Sequence, residues 1–284
     1  MPPGTSAKRG PMSVVPVLEL DGRPTPVPRL LRDLWDARGL LAMLARQDFA
    51  ARYRSAVLGL AWTVLLPLLQ GAVLALVFTR VVRVHTPVPY AGFVLVGMAA
   101  WSYLNASLSA AATAIVDGGA LATKVYFPRL VLPAVGPTSG LVGFAISLAV
   151  AVVVALVLSG QVHVQLLLLP VAMALAFVFV TVLSSLAALL HVWFRDVRYL
   201  VTALLLVAFY ATPVIYPLSL ARGLRPLVVA NPATGVLELT RWCVFGTADS
   251  LVASVAVTLG WTAVLGAATL AAYSRLERVA CDRL

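Results

Sequence analysis

Residues 137–190 read PTSGLVGFAISLAVAVVVALVLSGQVHVQLLLLPVAMALAFVFVTVLSSLAALL, without one Asp, Glu, Lys or Arg. An α-helix rises about 1.5 Å per residue, so about 20 apolar residues cross the ~30 Å hydrocarbon layer of a bilayer. The stretch contains two such lengths, 137–158 and 166–190, with only residues 159–165 between them. It therefore predicts a helical hairpin that crosses the membrane twice.

The same signature recurs outward in both directions, at residues 59–82, 91–115, 200–216 and 251–273. Six transmembrane helices are expected. The composition agrees. Of 284 residues, 61% are hydrophobic and 11% charged, and the mean hydropathy is +0.98. Soluble domains have about 45–50% apolar and about 25% charged residues. The bilayer must be the solvent for most of this chain, and backbone at membrane depth satisfies its polar groups as helices. The expected fold class is an all-α integral membrane protein. The span centres carry no Asp, Glu, Lys or Arg. An ion-coupled carrier places such groups in the membrane, so the energy source is expected on another chain.

The formal net charge is +10. Arg80, Arg83, Arg222, Arg225 and Arg241 fall on one side of the six-span layout, and the other sixteen of the 21 Lys and Arg fall on the opposite side. The crowded side is read as cytoplasmic, with both termini there. No basic stretch is interleaved with aromatics, so no nucleic-acid partner is expected. Residues 1–29 contain no apolar h-region, so no signal peptide is expected, and the first apolar run should insert and stay.

The flanking segments differ in character. Residues 1–28, with seven prolines, read as a flexible cytoplasmic tail, and the membrane domain is expected over 29–284. Residues 29–56 alternate leucines and charges at helical spacing, an amphipathic interfacial helix with a break expected at Gly39. Between the fifth and sixth spans, two short re-entrant helices are expected, over 218–229 and 233–245. Asn231-Pro232 would start the second. Glu238 and Arg241, three apart on it, are placed to pair.

Catalytic and nucleotide motifs are absent from the sequence. There is no G-x-x-x-x-G-K-[ST] loop, no DxD, no HExxH and no GxSxG. Cys243 and Cys281 have no ligand spacing, and His85, His163 and His191 are isolated near predicted membrane boundaries, so no metal site is expected. Asp196, between Arg195 and Arg198, reads as a structural ion pair.

Five strings, in order along the chain, resemble one family. They are RYRSAVLGLAW at 52–62 followed by Pro67, KVYFPRLVLP at 124–133, FRDV at 194–197, TPVIY at 212–216, and Asn231-Pro232. This pattern is similar to type-2 ABC-transporter permeases for polysaccharide and polyol-phosphate export, the O-antigen and teichoic acid exporters. The resemblance runs from about Arg29 to the C-terminus.

The resemblance implies a homodimer of six-span subunits in the bacterial cytoplasmic membrane, joined to a cytoplasmic ABC ATPase subunit. ATP and Mg would bind that partner, and this chain would hold no cofactor and perform no catalysis of its own. It implies a coupling helix within 116–129, where Asp117, Lys124, Tyr126, Phe127, Pro128 and Arg129 would face the ATPase. Asn231, Pro232, Glu238 and Arg241 would form the outer gate. The substrate would be a lipid-linked polymer. Exposing its polar groups to hydrocarbon would cost several kcal/mol for each unsatisfied group, and a channel between subunits removes that cost. Trp62, Trp101, Tyr103, Phe209, Tyr210 and Tyr216 are the aromatic residues expected to contact sugars there. Arg52 and Arg54, at the inner membrane surface beside membrane lipids, are expected to meet the lipid phosphate.

Three other readings compete. A permease of the same fold could carry a drug or lipid. A membrane glycosyl- or phosphotransferase needs a carboxylate cluster, and the 11 acidic residues are scattered. A secondary carrier needs intramembrane charges, which the span centres lack.

Overall fold

The structure is a computed structural model that describes residues 26–54, 59, 61–81, 83, 88–118 and 127–279. Among these residues every regular element is helical. Nearly all of the predicted tail (residues 1–25), together with Lys124, Tyr126, His85 and Cys281, lies outside the described residues.

The expected amphipathic segment forms two helices, α1 (Val27–Asp36) and α2 (Arg38–Tyr53). The break falls at Ala37, two residues before Gly39. Five elements are long and apolar enough to cross a bilayer. They are α3 (Ala61–Leu76) with its π-helical continuation Val77–Val81, α4 (Tyr90–Ala111), α6 (Val131–Ser159), α7 (Leu169–Trp193) with the 3-10 turn Val164–Leu168 before it, and α11 (Leu251–Val279). A single turn, α5 (Ala114–Asp117), follows α4.

The predicted hairpin is present as α6 and α7. Gly160 terminates α6 in the left-handed region, with φ 66° and its N–H on Leu156 O at 2.8 Å. A residue with a Cβ is strained there, and this is the usual left-handed glycine ending. With 29 residues, α6 is roughly 43 Å long. It starts six residues before the expected boundary at 137, and Pro137 lies inside it.

The fifth predicted span, 200–216, is shorter than expected. Helix α8 (Val197–Ala211) has 15 residues, about 22 Å of rise. It ends because Pro213 disfavours the helical region for the residue before it, and Thr212 is extended at φ −96°, ψ 141°. After this break come a 3-10 turn (Leu218–Leu224), α9 (Arg225–Ala230) and α10 (Thr234–Phe245). The expected helix start at Asn231 moves to Thr234. The Asn231 side-chain oxygen instead accepts the Ala233 N–H at 3.0 Å, in an Asx turn.

Helix α4 is the axis of the bundle. It packs against α3, α6, α7, α8 and α10, and most of its length is buried. Its small residues explain this: Gly92, Gly97, Ala99, Ala100 and Ser107 let neighbouring backbones approach, and close packing is what drives helix association in lipid. Helix α3 is the opposite case. Trp62, Leu66, Leu69, Val73 and Leu76 form an exposed apolar stripe along it. Helix α2 lies on α6, and α10 lies on α11, α4 and α7.

Candidate functional site

Two polar clusters stand out in this apolar bundle, one at each end. The first surrounds the break after α8, at the end where the α6–α7 hairpin turns. A chain that leaves helical geometry strips its carbonyls of partners, and burying them unpaired is costly. Here the carbonyls of Ala211, Pro213, Val214 and Ile215 are met from distant elements, and that of Thr212 accepts the nearby Val214 N–H. Asn231 Nδ2 donates to Ala211 O at 3.4 Å and to Thr212 Oγ1 at 2.9 Å. Arg241 donates to Pro213 O at 2.6 Å and Val214 O at 2.7 Å. The Tyr90 hydroxyl donates to Ile215 O at 2.5 Å.

Arg241 is 2% exposed. Its guanidinium also lies over the Phe93 ring, and its counter-ion is Glu238 at 4.0 Å, on the same face of α10. Glu238 in turn accepts the Asp249 N–H at 3.1 Å. Asp249 ties down the rest of the segment: its carboxylate accepts the Ser219 N–H at 3.1 Å, and its carbonyl accepts Arg225 Nη2 at 2.9 Å. Burial lowers the Arg241 pKa to about 10, opposed by Glu238, so the side chain stays cationic at neutral pH. Burial raises the Glu238 carboxyl, with Arg241 pulling the other way.

The second cluster joins α2 to the bundle at the opposite end. Asp48 pairs with Arg52 one turn on at 2.8 Å and accepts Ser139 Oγ of α6 at 2.5 Å. The Tyr53 hydroxyl and Thr63 Oγ1 of α3 lie 2.6 Å apart. Pro67 inside α3 has no N–H to give to the carbonyl four residues earlier. That carbonyl belongs to Thr63, and Ser147 Oγ of α6 donates to it at 3.2 Å. The proline break is thus stitched by a neighbouring helix.

The structure separates the expected aromatic set. Trp101 and Tyr103 are buried inside the subunit, and Trp62 and Tyr210 are exposed. Phe209 links the two groups, 5.7 Å from Trp101 and 5.2 Å from Tyr210 between ring centres. The Tyr216 hydroxyl donates to Tyr210 O at 3.2 Å. Tyr103 stacks on Phe144 at 4.7 Å. Of the expected coupling residues, Asp117 is exposed and Phe127 is buried. Phe127 clusters with Val131 and Leu132 against Leu34, Leu40, Leu41 and Leu44 of α1 and α2. Pro128 and Arg129 are half-buried beside it. Sequence reasoning placed Asn231, Glu238 and Arg241 together but missed Tyr90, Phe93, Asp48, Ser139 and Asp249, whose partners are remote in the chain.

Residues 39–245, which include the broken helix α8 and the short helices folded back onto it, match the family profile of the ABC-2 type transporter. The chain belongs to the ABC-2 type transporter family. The matched region contains both polar clusters apart from Asp249. The chain is also similar to proteins named O-antigen export system permease protein RfbA. For the one from Myxococcus xanthus the identity is 34% over 212 residues, covering 74% of this chain and 81% of the relative. For one from Klebsiella pneumoniae it is 26% over 193 residues, covering 62% and 68%. As an ABC-2 type chain, it is a multi-pass membrane protein of a transport system.

Proposed function

We propose that this chain is the membrane-spanning permease subunit of an ABC exporter that moves a lipid-linked polysaccharide or polyol-phosphate polymer out across the bacterial cytoplasmic membrane. The observation that carries the reading is the 34% identity to an O-antigen export permease over four fifths of that protein's length. A separate cytoplasmic ATPase subunit, holding ATP and Mg, supplies the energy.

Six crossings follow if α8 and the turn residues 212–216 together make the fifth. The membrane domain then runs from residue 29 onward, both termini are cytoplasmic, and α1–α2 lie at the inner surface. The 3-10 turn, α9 and α10 re-enter from outside, with Asn231, Pro232, Glu238 and Arg241 as the outer gate. Two copies pair around the channel. The exposed stripe of α3 supports this, because Trp62 there and Tyr210 and Tyr216 near the end of α8 are accessible to a passing sugar chain, and Phe209, itself against Trp101, packs on Tyr210. Asp117, Lys124, Tyr126, Phe127, Pro128 and Arg129 transmit the ATPase movement. Phe127 supports that role through its packing on α1 and α2, which connects the loop to the interfacial helices. Arg52 and Arg54, at the end of α2, receive the lipid phosphate.

Deletion of the gene in its host tests the function. Surface polymer should disappear while lipid-linked polymer accumulates inside, and the tagged chain should co-purify with an ABC ATPase. Unchanged surface polymer would overturn the export reading.

A further inference from the structure

The side chain and the carbonyl of Thr63 are each engaged by another helix. Its hydroxyl lies 2.6 Å from the Tyr53 hydroxyl at the end of α2. Its methyl sits against α6, where a Cβ on Gly143 would stand 2.7 Å from Thr63 Cγ2. Its carbonyl accepts Ser147 Oγ, one turn further along α6, at 3.2 Å. That carbonyl is free because Pro67 has no N–H to offer it. Ser139, one turn before Gly143, donates to Asp48 of α2. Residues 139, 143 and 147 thus lie on one face of α6 at a spacing of four, and fasten the end of α2 and the start of α3 together.

The rest of α3 is held differently. A proline inside a helix is a place where the helix bends. Beyond Pro67, α3 turns Gly71 and Ala75 inward and leaves Leu69, Val73 and Leu76 exposed. The apolar span that contains it is 11% buried, against 72% for α4. At its other end α2 meets the segment that leads into α6: Leu40, Leu41 and Leu44 pack with Phe127, Val131 and Leu132. A push on that segment reaches Tyr53 along one continuous helix. Tyr53 then grips α3 one turn ahead of its proline.

We propose that Thr63 is a positioning residue for transport, which through the Tyr53 hydroxyl converts displacement of α2 into a swing of α3 about Pro67. The proposal rests on the reading of this chain as an ATPase-driven permease. Coupling between distant parts of a protein needs an element with two arrangements, and the bend at Pro67 supplies it.

The test uses the chain bound to its ATPase in nanodiscs, with Cys243 and Cys281 changed to Ala. A nitroxide is placed on Met43→Cys of α2 or on Val73→Cys of α3, both exposed positions. Spectra are compared without nucleotide and with ATP and vanadate. In the parent both labels should respond. Tyr53→Phe and Thr63→Val should each abolish the response at residue 73 and keep that at residue 43. Both changes together should do no more than either alone, as for two groups acting through one contact. Thr63→Val keeps a methyl for the Gly143 hollow and the carbonyl for Ser147, so it removes the link and leaves the packing. Thr63→Ser, which supplies a hydroxyl again, should keep the response at residue 73. A response there that survives Tyr53→Phe or Thr63→Val, or one missing from the parent complex, would overturn the link and leave the export reading standing. Failure of the chain to bind any ABC ATPase would remove the export reading, and the link with it.

Discussion

The guanidinium carbon of Arg241 lies 3.5 Å from the centre of the Phe93 ring. This contact joins α10 to α4, while the same side chain donates to two carbonyls of the break after α8. One residue therefore links three elements that are remote in sequence. A planar, forked cation is needed to stack and donate twice at once, and lysine lacks that geometry.

Arg241→Met should destabilise the chain by about 3–5 kcal/mol, because Glu238 is then left buried without its counter-charge. Arg241→Lys should recover only part of that loss. The double variant Glu238→Gln with Arg241→Met should be less damaged than the sum of the two single changes. Thermal unfolding in detergent reads all four proteins.

Glu238 also predicts a pH dependence. Burial raises its carboxyl pKa in the folded chain. The folded state therefore holds the proton more tightly than the unfolded state does. The stability from this group is full below the ordinary carboxylate range and is lost as pH rises through the folded value. Glu238→Gln should flatten that part of the stability profile, measured as unfolding temperature against pH.

Glycines separate tight from open positions. A Cβ on Gly97 would meet Arg241 Nη2 at 2.6 Å and Val214 O at 2.9 Å, whereas nothing lies within 4 Å of one on Gly260. Gly97→Ala should cost about 1–3 kcal/mol through overpacking. Gly260→Ala should be neutral or gain up to about 1 kcal/mol from helix propensity. The difference between their melting temperatures is the measurement.

The orientation is tested by cysteine labelling in a chain with Cys243 and Cys281 changed to Ala. Gln161 at the hairpin turn and Arg195 after α7 are both exposed. With an impermeant maleimide on intact cells, or spheroplasts where an outer membrane blocks the reagent, Gln161→Cys should label at once. Arg195→Cys should label only after the membrane is opened. The reverse pattern would invert the topology.

The charge at the coupling segment is open to a separate check. Asp117 is exposed, so Asp117→Lys should leave the unfolding free energy within about 0.5 kcal/mol of the parent, as surface changes do. If the segment seats in the ATPase, the same variant should reduce transport-linked ATP hydrolysis in the purified complex.

Much of this was legible along the chain. The apolar runs at 137–158 and 166–190 stand as α6 and α7, and the spacing of Glu238 and Arg241 put them on one face of a short helix. Those signals are local: a hydrocarbon solvent demands helices of a given length, and helical periodicity decides which neighbours in sequence meet. Tertiary structure alone decided what those side chains do. Thr63 needs Ser147 because Pro67 removed a donor, and Ser147 is 84 residues away. Tyr90 reaches Ile215 across 125 residues. A broken helix in an apolar bundle must have its carbonyls satisfied, which the sequence foretells. Which residues satisfy them depends on how the helices pack, and that is settled only when they meet.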